Sequence, residues 1–494
     1  MLMTLLLVHS IVGAILLPLT RKVKSTMFIA IMTMAVGWLL VWLLFQHVPT
    51  SAHMAVIDYK VDWIRDWGIS YYLAVDTFSM SMLMLTLFVD TIVVISAPIL
   101  IKKHLSFYLS IFLVMQTMML GVFMAWDGFL YYVFWEAVLI PMYLCIGIWG
   151  SNQRAEAAIK FFLFTFLGSV VMLLAMIYLG VKAGSFALDS WYKLHLSFTE
   201  QIFVFVAFFL AFAVKIPVWP LHTWLPDAHT EAPSGGSILL AALMLKMGGY
   251  GLLRFALPLA PDAAAYLSPL MIFLALIAIV YVGFVAMSQT DMKRLIAYSS
   301  VAHMGFVMLG VFVVGYAHLG MSDEIMAWNG AIMQMITHAF GSGALFLAFG
   351  FIYLRTKERR IDAMKGLAAS MPYCAAFFMI FLFSNIAVPG TAGFVGEWMI
   401  ILVAMKADPL IALLASLTLI ISASYSLVLM RKVFFGPAGI SYRDFGLAER
   451  FICGLMVLMI FMIGIYPKPI IDYIQPSTER ILAEMHHKTS EVKA

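Results

Sequence analysis

Charge is scarce in this chain. Asp, Glu, Lys and Arg make up 11% of its 494 residues, less than half of the roughly 25% found in soluble domains. Hydrophobic residues make up 64% and mean hydropathy is +0.99, so a water-soluble enzyme of this length would lack the polar surface to cover itself. Cysteine is scarcer still. Cys145, Cys374 and Cys453 are isolated in sequence, which excludes a disulfide scaffold and, without CxxC spacing, an iron–sulfur cluster held by this chain's own thiolates. Nor does either sign of charge dominate. Thirty basic and 26 acidic residues leave a net charge of +4, too balanced for a nucleic-acid partner. Low-complexity tracts and Ser/Gly linkers are missing as well. A polytopic membrane protein in a lipid bilayer remains.

Crossing the hydrocarbon core takes about 20 apolar residues in a helix. Runs of that kind lie near 3–20, 27–46, 75–99, 105–124, 128–149, 155–181, 199–220, 234–255, 264–287, 292–315, 325–353, 371–404, 409–433 and 450–466. The expectation is an all-α fold of about fourteen transmembrane helices. A β-barrel would show alternating segments of about ten residues, which the long apolar run Leu163 to Leu179 does not. The first run has no basic residue before it, whereas Arg21, Lys22 and Lys24 follow it, as suits a retained helix rather than a signal peptide. Alternate loops carry 18 Lys and Arg on one side against 6 on the other, tail excluded. By the positive-inside rule the rich side is cytoplasmic and both termini are periplasmic.

A weaker signal is internal. Residues 168–179 (GSVVMLLAMIYL) align with 343–354 (GALFLAFGFIYL), and each segment precedes a run interrupted by proline, at Pro217 and Pro220 and at Pro389-Gly390. Two broken helices in corresponding halves are the trace of an inverted repeat.

A charge at mid-bilayer costs at least about 2.5–3.5 kcal/mol, so ionisable groups there are functional candidates. Glu136, Lys215, Lys246 and Glu397 lie inside apolar runs, with Asp90, His303 and His338 at similar depth. Acids and bases together are what a proton path requires. An ammonium paired with Glu136 keeps its proton, and one left alone in an apolar site gives it up. The prolines after Lys215 free backbone carbonyls and make a hinge. Lys246 is then a relay, His303 and His338 are intermediates titrating near neutral pH, and Glu397, beside Pro389-Gly390-Thr391, is the exit. The plain alternatives are a static Glu136–Lys215 pair, a snorkelling Lys246, a capping Glu397 and histidines bonded within the bundle. For Asp90 and His9 the structural reading is preferred. Glu156 and Lys160 are expected at a helix end facing the interface. His222, Asp227, His229 and Glu231 lack metal-ligand spacing, so 220–237 is expected as a loop packed at the membrane surface, with no metal.

That loop begins the run VKIPVWPLHTWLPDAHTEAPSGGSILLAALMLKMGGYGLLR, with WEAVLIPMYL upstream and PGTAGFVGEWMI downstream. Together these resemble the antiporter-like subunits of proton-pumping NADH–quinone oxidoreductase (respiratory complex I) and of Mrp-type cation/proton antiporters. The resemblance implies two inverted five-helix repeats with the seventh and twelfth helices broken: three N-terminal helices in 1–104, repeats in 105–255 and 256–433, and a last helix and tail in 434–494. Glu136, Lys215 and Lys246 match the family's fifth-, seventh- and eighth-helix residues, and His303 and His338 its central-axis histidines. Glu397 fits the M-type branch, where L-type, N-type and Mrp-type relatives usually carry lysine. The resemblance further implies proton translocation in a bacterial inner membrane, driven by NADH oxidation and quinone reduction in partner subunits. Flavin (FMN), iron–sulfur clusters and quinone then belong to those partners, with no cofactor in this chain, and L-type and N-type subunits are its neighbours. The rival expectation is a sodium/proton antiporter subunit of the Mrp type.

Overall fold

The computed structural model describes residues 1–49, 56–317, 319–437 and 439–493. Among them, 13 helices are long and apolar enough to cross a membrane. These are α1 (Leu2–Leu19), α2 (Val23–Phe45), α3 (Thr77–Leu100), α4 (Leu105–Met124), α5 (Gly128–Trp149), α6 (Arg154–Ala183) and α7 (Phe198–Lys215). After the short helix α8 (Trp224–Glu231) come α9 (Ser234–Leu259), α10 (Pro261–Met287), α11 (Met292–Tyr316) and α12 (Met321–Thr356). The run expected at 371–404 is split into α13 (Pro372–Asn385) and α14 (Ala392–Ala407), before the spanning helices α15 (Pro409–Val433) and α16 (Leu447–Ile465). Every expected apolar run is thus a helix or a broken helix.

Carboxylates punctuate the helix starts. Asp76, Asp127, Asp291 and Asp408 each accept a hydrogen bond from a first-turn amide of α3, α5, α11 and α15, satisfying donors that an apolar first turn leaves orphaned. The two proline breaks close in the same way. At the end of α7 the Ile216 amide donates to Phe212 O and the Val218 amide to Ala213 O; at the end of α13 the Ile386 and Val388 amides donate to Leu382 O and Phe383 O. This wrapped C-terminus leaves a gap before α8 and before α14. A third interruption lies inside α5. Helical residues stop at Ala137 and resume at Leu139, with 3.4 Å bonds on either side of Val138, because Pro141 has no donor for the carbonyl one turn earlier.

α9 is buried along its length and carries two π-helical stretches, Leu240–Met244 and Leu252–Ala256, on either side of Lys246. It packs with α12 at the centre of the molecule. Past residue 255, where the first repeat is expected to end, α9 continues for one more turn to Leu259. The expected tail is a helix, α17 (Lys468–Lys493), docked on the bundle by Ser477 on Thr77 (2.7 Å) and Thr478 on Asn329 (2.8 Å). A β-hairpin, β1 (Val56–Ile64) with β2 (Ile69–Val75), joins α2 to α3 and turns at Gly68 (φ 67°).

Candidate functional site

The ionisable residues fall into two groups. Lys215, the last residue of α7, is 1% exposed, and its Nζ lies 4.6 Å from the centroid of the Trp135 ring. A desolvated cation–π contact of this kind contributes about 2 kcal/mol. Glu136 follows Trp135 and precedes the loosened turn of α5, with Tyr132 and Ser169 beside it. The expected ion pair is not closed. Lys215 Nζ and Glu136 Oε1 have no hydrogen-bond partner among the described residues, and the two groups interact only at longer range. Trp135 holds the ammonium in place of the carboxylate.

Lys246, His338, His303 and Glu397 come together from α9, α12, α11 and α14. Lys246 Nζ donates to Ala241 O (2.5 Å) and to His338 Nδ1 (2.6 Å). His338 Nε2 faces Ser342 Oγ at 2.9 Å, and Ser342 meets Ser300 at 3.2 Å. With Nδ1 accepting from the ammonium, Nε2 carries the proton. The His303 ring lies 5.8 Å from the His338 ring, centroid to centroid. His303 Nδ1 bonds Glu397 Oε1 at 2.7 Å, and Gln334 Nε2 donates to the same oxygen at 3.0 Å. His303 Nε2, on the side without a bond, has no partner among the described residues. The chain of groups is therefore continuous except for one step between the two histidines.

Glycine sets the helix spacing. A Cβ on Gly248 would stand 2.7 Å from Ile216 and 3.0 Å from Phe212 O, and one on Gly396 would stand 2.6 Å from the Gln334 amide nitrogen. Their absence lets α9 lie against the end of α7 and α14 against α12. Chemically, the result is a buried row of ionisable groups, bonded in places and separated by short gaps in others.

The family model for NADH:quinone oxidoreductase/Mrp antiporter, TM, matches residues 125–422. The chain is 42% identical to NADH-quinone oxidoreductase subunit M of Rhodobacter capsulatus over 455 residues, covering 89% of this chain and 86% of the relative. The chain belongs to this antiporter-like family. It is also 38% identical to NADH-ubiquinone oxidoreductase chain 4 of Chondrus crispus, over 86% of each chain. A chain of respiratory complex I from Thermus thermophilus with bound NADH superposes with a TM-score of 0.88 at 31% identity, covering 98% of this chain and 100% of that one. A chain of the Mrp complex from Dietzia sp. DQ12-45-1b shares the fold, with a TM-score of 0.83 at 20% identity.

In this family member the basic face opens into a cavity of about 270 Å³. Asp227 bridges Lys160 (2.6 Å) and Arg294 (3.1 Å) within it, and Arg359 reaches Glu231 and Asp291, both at 3.4 Å. Glu156 lines the same cavity. The segment expected as a surface loop is instead the buried helix α8, because Trp224 and Leu225 anchor it and Trp224 Nε1 donates to Val214 O. His229 stacks on Phe346 at 4.6 Å and His222 faces Tyr298 at 6.1 Å; these side chains do not converge as metal ligands among the described residues. His9 bonds Leu6 O, consistent with a packing role. Asp90 is buried with both oxygens unpartnered among the described residues.

One cluster escaped the sequence reading. Arg254, given no role there, is 0% exposed; its guanidinium and that of Arg480 of α17 donate to one oxygen of Asp76, at 2.6 Å and 2.5 Å. Burial pushes the Asp76 carboxyl up, but Arg254, Arg480 and the Ser79 amide outweigh it and hold it well below the usual carboxylate range. Only the contact across 178 residues marks this site, and no local motif announces it.

Proposed function

We propose that this chain is an M-type, proton-translocating membrane subunit of an NADH–quinone oxidoreductase. The observation that carries this is the buried row Lys246–His338–His303–Glu397 across four helices, in a chain so similar to subunit M of a bacterial enzyme. Protons enter from the charged cavity of the basic face, which the loop-charge bias makes cytoplasmic. Glu136 and Lys215 load the path, Lys246 relays through His338 and His303, and Glu397 releases. The chain has no redox centre of its own. Flavin, iron–sulfur clusters and quinone belong to partner subunits whose reactions drive the path electrostatically, and L-type and N-type subunits flank this one. Residues 105–255 and 256–433 are its inverted repeats, and both termini face the periplasm.

The test is proton uptake by sealed, sodium-free vesicles carrying the assembled complex. Native vesicles pump on NADH, and Lys215→Ala vesicles with equal complex content lose most of that pumping. Pumping that needs sodium strictly would give the chain to the Mrp-type antiporters. Normal pumping in Lys215→Ala would make it a structural spacer.

A further inference from the structure

A second row of polar groups leads from Lys215 toward the face opposite the basic one, and the path above makes no use of it. Tyr131 lies one turn of α5 outward of Trp135, and Tyr250 and Arg254 lie one and two turns of α9 outward of Lys246. Ser79 lies one turn of α3 inward of Asp76. Contacts join them in that order. Trp135, beneath the Lys215 ammonium, packs on Tyr131 with ring centroids 5.7 Å apart. The Tyr131 hydroxyl occupies the space that a Cβ on Gly251 would need, 2.6 Å away, which brings it within electrostatic reach of Tyr250. The Tyr250 hydroxyl donates to Phe123 O (3.1 Å) and accepts from Ser79 Oγ (2.9 Å). The Ser79 amide donates to Asp76, which holds Arg254 and Arg480.

Along this row the polar atoms are unusually short of partners. Lys215 Nζ, Trp135 Nε1, Tyr131 Oη, and Arg254 Nε and Nη1 have no hydrogen bond among the described residues, although all four residues are buried. Native interiors leave few such atoms, since each forfeits the hydrogen bonds it would make in water. Several in one file, among hydroxyls that both donate and accept, are groups that water molecules would bond. Its outer end is closed by charge, since one carboxylate between two guanidiniums leaves a net positive cluster that repels a hydrated proton. Arg480 is the more accessible of the two guanidiniums, because α17 carries it from outside the spanning bundle and its side chain is 24% exposed.

We propose that Trp135, Tyr131, Tyr250, Ser79 and Asp76 line a hydrated outlet from the Lys215 chamber to the opposite face, gated by Arg254 with Arg480 of α17. This rests on the proton-translocating reading above. Each hydroxyl, once turned to donate toward its outward neighbour, passes its own proton outward and takes one from its inward neighbour, so none is gained or lost. Withdrawal of Arg480 neutralises the cluster and opens the outlet.

Two measurements on the assembled complex in sealed vesicles test it. First, Ser79→Cys is exposed to a small, membrane-impermeant thiol reagent on the opposite face. We expect modification about tenfold faster than that of the buried native Cys145, and faster again with Arg480→Gln added. A Ser79→Cys rate equal to that of Cys145 overturns the outlet. Second, the Tyr131→Phe/Tyr250→Phe pair keeps the rings and removes the hydroxyls. We expect fewer protons moved per NADH oxidised, as with Lys215→Ala. A loss in Lys215→Ala alone removes the outlet and leaves the proton-translocating reading standing. A loss in neither removes that reading, and the outlet with it.

Discussion

Lys215 and Lys246 are both buried ammonium groups, yet they are held differently. Lys246 has a carbonyl and an imidazole nitrogen within hydrogen-bonding distance, whereas Lys215 has the face of Trp135. A bonded cation is fixed and an unbonded one is freer to move, which favours Lys215 for the proposed loading step and Lys246 for the proposed relay. His338→Leu removes the imidazole acceptor and should lower stability by about 1–3 kcal/mol, seen as a lower thermal midpoint of the solubilised complex, with pumping lost. His338→Gln restores an acceptor and should recover part of the midpoint; equal midpoints for the two variants would mean that the bond to Lys246 is not what holds the site. Asp76 gives a prediction in pH. Its carboxyl is depressed in the folded chain, so its stabilisation is complete above the unfolded value of about 4 and drains away in stronger acid. Asp76→Asn strands two guanidiniums and should cost about 3–5 kcal/mol at neutral pH. The native midpoint should fall on acidification below about pH 4, and the variant's should lack that part of the slope.

At the scale of helices, function depends on close backbone approach and on breaks. Gly396 lets α14 touch α12 beside Glu397, and a Cβ there meets the Gln334 backbone, which cannot swing away as a side chain can. Gly396→Ala should therefore part the two helices, cost about 1–3 kcal/mol and pull Glu397 off His303 and Gln334, lowering pumping more than quinone reduction. Ala387 closes the end of α13 with φ at 62°, a conformation that costs an L-residue about 1 kcal/mol. Ala387→Gly should raise stability by up to about 1 kcal/mol, seen as a higher thermal midpoint, and an unchanged or lower midpoint would show that chain entropy offsets the relief. The breaks were legible because proline writes them into the sequence at Pro217, Pro220 and Pro389. The kink at Val138 was not read, although its cause, Pro141, lies in plain view. The hairpin at Val56–Val75 went unread between apolar runs that dominate any hydropathy reading.

For the whole molecule, the apolar runs were legible because a bilayer demands length and apolarity, both local properties. The place of Glu136, Lys215, Lys246 and Glu397 within apolar helices was legible for the same reason, since each interrupts a run. Partnership was not, because it is set by which helices meet. Lys246 finds His338 across 92 residues and Glu397 finds His303 across 94, while Lys215 and Glu136 remain unjoined. Arg254 was passed over because a basic residue near the end of a run looks the same whether it faces water or a buried carboxylate. The central claim is that the buried row conducts protons for a redox complex. It is tested most directly by the number of protons moved per NADH oxidised in sealed, sodium-free vesicles, comparing the native complex with Lys246→Met at equal complex content. Conduction through the row predicts a clear fall in that ratio in the variant. The native ratio in Lys246→Met would contradict it.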